Sequence, residues 1–288
     1  MNIDTLKRIS QPIVEAYHRF MNSELLQRIN LSDKMQDRQL SLRWIMLFAL
    51  IILIYSVTIR YAWIPIYSDN ASYQWNDEIL LTTNDAYHYA TSAKLAVDGQ
   101  IHNNSQLISN SLFGENGAIV ASAWLASKLT SFSMETITLY LPIILPSLTG
   151  ILVLLIGHLL GFSAMGLVAG LITVSSNIFL VRTRAGYFDT DLLTLIIPLV
   201  LIYLLLRVIK TNNFKNALVA SLLLTTQTFF YNNAPLLSEV IIITFIVFTA
   251  LLRRDNLSHL GSILILLPAM ISFDLPTSIR IALIVGAY

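Results

Sequence analysis

Long apolar runs alternate with short polar joints along most of the chain. Runs of about 17–24 residues, long enough to cross a hydrocarbon core of roughly 30 Å, fall near Trp44–Trp63, Ile137–Leu160, Ser163–Leu180, Asp191–Ile209, Phe214–Phe230, Leu236–Leu252 and Leu257–Phe273. Another begins at Thr277 and has covered only about 12 residues at Tyr288, too few to span. The pattern predicts an all-α polytopic membrane protein with seven complete membrane helices and a partial eighth. A fragment, or the first half of a larger protein, is expected. Pro142, Pro146 and Pro198 fall inside apolar runs, where kinks are tolerated.

Two segments break the pattern. Residues 1–43 are polar and carry Lys7, Arg8, Arg19, Arg28, Lys34, Arg38 and Arg43. Ile9, Ile13, Ala16, Phe20 and Leu25 recur at near-helical spacing, so this leader is either an amphipathic helix on the membrane surface or a plain solvated segment. Ile64–Ser133 is the one other long stretch that is not membrane-like. Aromatic residues (Trp63, Tyr67, Tyr73, Trp75) suited to an interface open it. Thr83–Val97 predicts a helix, with Thr83 or Asn84 as N-cap and Gly99 just past its end, and Ala118–Leu129 a short second one.

Composition fits this picture. Of 288 residues, 55% are hydrophobic and 12% charged, and the mean hydropathy is +0.67; a soluble domain carries about 25% charged residues. The net charge of +1 gives no reason to expect a nucleic-acid partner. Cysteine is absent, which excludes disulfides, thiolate zinc sites and thiol chemistry. Arg207, Lys210 and Lys215 in one joint, Arg253 and Arg254 in another, and the basic leader define a common cytoplasmic side. Alternation then places Ile64–Ser133, Arg182–Asp191, Tyr231–Pro235 and Asp274 on the opposite side. Arg182 and Arg184 depart from the positive-inside pattern, so both are expected to have partners.

The candidate chemistry lies on that opposite side, in Thr82-Thr-Asn-Asp-Ala-Tyr-His-Tyr-Ala90, Val181-Arg-Thr-Arg-Ala-Gly-Tyr-Phe-Asp-Thr-Asp191 and Tyr231-Asn-Asn-Ala-Pro235. Charge clustered within so apolar a chain sits at a membrane surface or lines a polar site. Asp85, Asp189 and Asp191 together are candidates to hold one Mg²⁺ or Mn²⁺ against a substrate phosphate, because hard cations take carboxylate oxygens and substrate phosphates complete the shell. Arginine can fork onto a phosphate or a carboxylate. Plainer readings stand beside these. Asp189 and Asp191 could simply pair with Arg182 and Arg184, and Asp85 could complement a helix dipole. His88 reads as a packing or surface histidine, His158 as hydrogen-bonded structure, Tyr231 as an interfacial aromatic, and Glu239 as a polar-site or headgroup-level residue.

Taken together, the Asp85 motif, Ser176-Asn177, Arg182-Thr183, Gly186-Tyr-Phe-Asp189-Thr-Asp191 and Tyr231 just after a span resemble the N-terminal half of bacterial single-subunit, PglB-type oligosaccharyltransferases. The likeness runs from about Trp44 to the end of the chain. It implies a GT-C-type membrane domain over residues 44–288, with residues 64–133 as a large first external loop, in a bacterial inner membrane. The implied reaction moves a glycan from a polyprenyl diphosphate to the asparagine amide of an N-x-S/T acceptor polypeptide. By position, Asp85 would touch both the metal and the acceptor amide, and Asp189 would be a metal ligand. Asp191 would lie nearby, Arg182 near the catalytic centre, and Tyr231 against the lipid-linked donor. The family's later acidic ligand and its W-W-D-Y-G motif are not found in these 288 residues. The chain is therefore expected to hold half the site, to be inactive alone, and to work only if a separate C-terminal half completes it. Another polyprenyl-phosphate-dependent GT-C transferase, a transporter and a non-catalytic membrane subunit are the alternatives. Asn70-Ala-Ser72 and Asn103-Asn-Ser105 are acceptor-like sequons but lack an acid two residues before the asparagine, so self-glycosylation is not expected.

Overall fold

The computed structural model describes residues 40–100, 114–211, 213–252 and 257–266. The basic leader up to residue 39, the Asn103 sequon and the partial helix expected from Thr277 lie outside the described residues. What is described is helical apart from one small hairpin.

Helix α1 (Leu42–Tyr61) runs through a bend at Ala62 into α2 (Trp63–Ser68). A 3₁₀ turn at Ala71–Tyr73 follows, with the Asn70 side chain accepting from the Ser72 amide at 2.9 Å. Strands β1 (Gln74–Trp75) and β2 (Glu78–Ile79) pair antiparallel, Gln74 opposite Ile79. Asn76 and Asp77 make the tight turn between them with positive φ (51° and 62°), a conformation short polar side chains tolerate.

Helix α3 (Asn84–Val97) begins as its sequence dictates: the Thr83 hydroxyl accepts from the Ala86 amide at 3.0 Å. It ends at Gly99, whose φ of +70° lets the Gln100 amide turn back to the Leu95 carbonyl at 2.8 Å. Helix α4 (Gly117–Leu129) packs across α3. Helices α5 (Met134–Ile144) and α6 (Ser147–Leu160) form one long segment, interrupted near Pro146 because proline supplies no amide hydrogen there. Helices α7 (Ser163–Ser175) and α8 (Asn177–Val181) lead to the charged segment. Beyond it come α9 (Asp191–Thr194), α10 (Ile196–Thr211), α11 (Phe214–Thr225), α12 (Gln227–Phe230), α13 (Ala234–Leu252) and α14 (Leu257–Leu266). Pro198 sits in the first turn of α10, where its missing amide hydrogen would have no helical partner anyway.

Among the described residues three segments are long and apolar enough to cross a membrane: Leu42–Ser68, Met134–Leu160 and Asp191–Thr211. The chain is a multi-spanning membrane protein. Two other predicted spans, Ser163–Leu180 and Phe214–Phe230, are broken into shorter helices, Ser163–Ser175 at 13 residues and Phe214–Thr225 at 12. At 1.5 Å per residue these rise only about 20 Å. Both end where hydroxyl side chains donate to the preceding turn: Ser175 to the Leu171 carbonyl (2.8 Å), and Thr226 to those of Leu222 and Leu223 (3.3 and 3.1 Å).

Packing is tightest between α6 and α7. A methyl group on Gly157 would lie 2.6 Å from the Cα of Gly166, and one on Gly170 would lie 2.7 Å from the Gly150 carbonyl oxygen, so the two backbones touch directly. His158 is tied into the same junction, its Nδ1 3.0 Å from the Ser163 hydroxyl. Helix α1 covers this pair through Ile45 and Ile52, which are buried with Leu154 and Val174. A separate core gathers Ala86, Tyr89 and Ala93 of α3, Ala118–Val120 and Ala123 of α4, Ile137 of α5, and Phe188, Leu192 and Leu193 around the charged segment.

Candidate functional site

The segment between α8 and α9 crosses the end of the bundle as a loop with two anchors. Gly186 supplies both. Its amide donates to the Leu139 carbonyl of α5 (3.1 Å), and its carbonyl accepts from the Thr82 amide (3.1 Å) and hydroxyl (3.3 Å). Thr82 immediately precedes the Thr83 cap of α3, so this joint sets the start of the Asp85 helix against the Asp189 loop. Gly186 has φ +74°, while a methyl group placed on it would meet only ordinary contacts near 3.5 Å. Glycine is required here by backbone conformation, since an L side chain in that region costs roughly 1–2 kcal/mol.

Asp85 lies in the first turn of α3, exposed, where its charge also complements the helix dipole. Asp189 is half-buried. One of its oxygens accepts from the Thr190 amide (2.6 Å) and hydroxyl (3.2 Å). Burial raises its pKa above the usual carboxylate value, against the Thr190 hydrogen bonds; the Asp85 charge raises it further and Arg182 lowers it. The two motifs, about a hundred residues apart, thus share one electrostatic environment.

Asp191 opens α9 and pairs with Arg182, Nη1 to Oδ2 at 3.1 Å. Arg184 takes another course: its guanidinium lies over the Trp63 ring, 5.0 Å from the centroid. Both arginines therefore have partners, as their departure from the positive-inside pattern led one to expect, but among the described residues only Arg182 of the two is paired with an acid. Among the described residues no three histidine, aspartate or glutamate side chains converge in a way that would hold a metal ion. With Asp191 paired to Arg182, Asp85 and Asp189 are the two of the three candidate carboxylates that form no ion pair among the described residues. One or two carboxylates completed by phosphate oxygens is the set magnesium ordinarily accepts.

Tyr231 begins the turn after α12 and is half-buried, its hydroxyl accepting from the Asn233 side chain at 3.4 Å. This turn is bound to the start of α4: the Asn116 amide donates to the Thr228 carbonyl (3.0 Å), and the Asn116 side chain accepts from the Asn232 amide (2.8 Å). Phe229 and Phe230 pack on the core that carries Ala86, Tyr89 and Phe188. The three polar stretches are thereby gathered at one end of the bundle.

Sequence reasoning passed over two residues. Tyr89 lies one helical turn beyond Asp85 on the same face. Burial, then the charges of Asp189 and Asp85, push its pKa up to about 12, and its hydroxyl interacts with the Thr190 side chain. It remains a neutral hydrogen-bond donor among the carboxylates at any working pH. The i, i+4 spacing from Asp85 was the available signal. The other is Arg60, an ionisable residue inside the first apolar run, which by that fact alone marks a position of interest. Its hydroxyl partner Thr183 lies between Arg182 and Arg184. His88 packs its ring edge-on to Tyr89, with centroids 5.4 Å apart.

Comparison with known proteins identifies the family. The sequence profile described as "Oligosaccharyl transferase STT3, N-terminal" matches residues 117–286, more than half of the chain. Two Campylobacter jejuni proteins named undecaprenyl-diphosphooligosaccharide–protein glycotransferase are 30% and 29% identical over 224 residues, which is 77% of this chain and 31% of each relative. The chain thus spans about a third of the length of these curated relatives. The profile match over more than half of the chain shows the family: the chain belongs to the oligosaccharyl transferase STT3 family, in its N-terminal part.

Proposed function

We propose that this chain provides one wall of an oligosaccharyltransferase site, at which a glycan passes from a polyprenyl diphosphate lipid to the asparagine amide of an N-x-S/T acceptor polypeptide. The observation that carries the reading is the Gly186–Thr82 joint, which sets the Asp85 helix beside the Asp189 loop in a chain of this family. The active end faces the periplasm of a bacterial inner membrane, with the N-terminus cytoplasmic and residues 64–133 forming the first external loop. A C-terminal portion, separate or continuous, supplies the remaining wall.

The chemistry asks for three things. An amide nitrogen is a poor nucleophile because its lone pair is delocalised into the carbonyl. Asp85, exposed at the mouth of the site, accepts a hydrogen bond from the amide N–H and weakens that delocalisation. Second, the leaving diphosphate accumulates charge, and preorganised cationic groups aimed at it lower the barrier. Arg182 is oriented for this role by Asp191. Third, the donor's prenyl tail has to remain in lipid while its diphosphate reaches the carboxylates; Tyr231, in the turn after α12, contacts the donor there. Asp85 and Asp189 would hold Mg²⁺ or Mn²⁺, which would supply Lewis-acid stabilisation of the diphosphate.

The reading is tested by expressing the chain with an oligosaccharyltransferase C-terminal portion, a lipid-linked glycan and an acceptor peptide, and following glycopeptide by mass. Glycopeptide is expected from the parent. Asp85→Ala and Asp189→Ala each lower its formation on the order of a hundredfold or more, as loss of a major electrostatic contribution does. Undiminished transfer by either variant removes that residue from the site.

A further inference from the structure

Among the described residues, Arg60 is the one fully enclosed charged side chain, 0% exposed within the membrane-crossing segment Leu42–Ser68. Neutral oxygens hold it. Nε and Nη2 donate to the Thr183 hydroxyl at 3.0 and 2.7 Å, and Nη1 donates to the Ser56 hydroxyl at 2.9 Å and the Ser56 carbonyl at 3.3 Å. The guanidinium also lies 5.4 Å from the centroid of the Phe179 ring. No acid pairs with it among the described residues. Thr183, likewise buried, donates its own hydroxyl hydrogen to the Phe179 carbonyl in a 2.6 Å hydrogen bond.

A charge enclosed without a counter-charge lowers stability, and an apolar side chain of similar volume would commonly serve the fold as well or better. What the guanidinium gains for this cost is its grip on Thr183. That residue stands between Arg182, which pairs with Asp191, and Arg184, which lies over Trp63 of the same first span. Residues 183 and 184 are thus pinned to α1 and α2, and Gly186 is pinned to Thr82, just ahead of α3, and to Leu139 of α5. We propose that Arg60 is a positioning residue for glycan transfer: acting through Thr183, it fixes where Arg182 and the Asp189–Asp191 loop stand relative to Asp85. A fork of separated donors is needed to hold Thr183 and Ser56 together, which a lysine ammonium cannot reproduce. The proposal rests on the oligosaccharyltransferase reading for its consequence in catalysis, but not for the contact itself.

The chain has no cysteine, so Ala185→Cys, at a fully buried position, gives a single reporter of loop placement. In membranes carrying the full chain, a water-soluble maleimide is expected to label this cysteine slowly. Arg60→Met speeds labelling on the order of tenfold by freeing the loop to open locally. Thr183→Val gives the same acceleration, the double substitution adds nothing further, and Thr183→Ser, which keeps the hydroxyl, labels at the parental rate. Arg60→Lys, with its charge intact, also labels fast, and carries the test if Arg60→Met does not accumulate. In the transfer assay, Arg60→Met lowers kcat about 10–100-fold, the scale of a misplacement near 1 Å, with the acceptor KM unchanged. Its unfolding temperature stays level or rises. Unchanged labelling in Arg60→Met and Thr183→Val overturns the proposal, as do additive effects of the two. A fall in unfolding temperature with kcat per folded molecule preserved overturns it as well, by reducing Arg60 to a fold residue. A parent that transfers no glycan refutes the functional reading alone, and labelling still decides on Arg60.

Discussion

Asp189 holds its charge against its surroundings. Burial is the main cause and the Asp85 charge adds to it, so its pKa lies above the ordinary 3.8. The sign of the consequence is fixed: between 3.8 and the raised value the folded chain binds more protons here than the unfolded chain, and stability falls as pH rises through that window. Asp189→Asn removes the ionised group and is expected to raise the unfolding temperature at pH 7, with a smaller gain near pH 4, while glycan transfer is lost. Thermal unfolding at the two pH values checks this; a variant less stable than the parent at pH 7 would contradict it. At this scale the carboxylates were legible from the sequence because charge is conspicuous in an apolar chain. Gly186 stood in the sequence only as part of a motif, and Tyr89 was not singled out. The importance of Gly186 lies in a positive φ and three hydrogen bonds to distant backbone and side-chain groups, and that of Tyr89 in a helix face that only folding brings to the Asp189 loop. The pairing of Arg182 with Asp191, rather than with Asp189, likewise depends on the turn at Thr190.

At the scale of elements, the site depends on how closely the supporting helices pack. Helices α6 and α7 meet through Gly150, Gly157, Gly166 and Gly170, with no room for a methyl group at Gly157 against the Gly166 backbone. Gly157→Leu is expected to force these helices apart and to cost at least the roughly 1–3 kcal/mol typical of overpacking, because backbone rather than a flexible side chain has to give way. A lowered unfolding temperature in detergent checks this; an unchanged one would mean that the two backbones are not in contact. Hydropathy located the apolar runs, and capping signals located α3, with Thr83 or Asn84 as its N-cap. It could not mark where a run stops being one helix. The breaks at Ala62, Pro146 and Ser176 and the end of α11 at Thr225 follow from local backbone and hydroxyl hydrogen bonds, to which an average over apolar residues is blind.

For the whole molecule, joints between sequence-distant stretches turn a membrane bundle into a site. Thr82 meets Gly186, Asn116 meets Thr228 and Asn232, and Arg60 meets Thr183. Each joins a polar stretch that the sequence shows in isolation. The resemblance carried by the motifs predicted that the stretches belong together; the bonds that hold them are a property of the fold. The central claim is that Asp85 and Asp189 work as one unit in glycan transfer, and a double-mutant cycle tests it most directly. Initial rates of glycopeptide formation are measured for the parent, Asp85→Asn, Asp189→Asn and the double variant. The account predicts that each single substitution removes most of the activity and that the double variant is little slower than the slower single one, as for residues that act together. Losses that multiply in the double variant, or a single variant with parental rate, would contradict it.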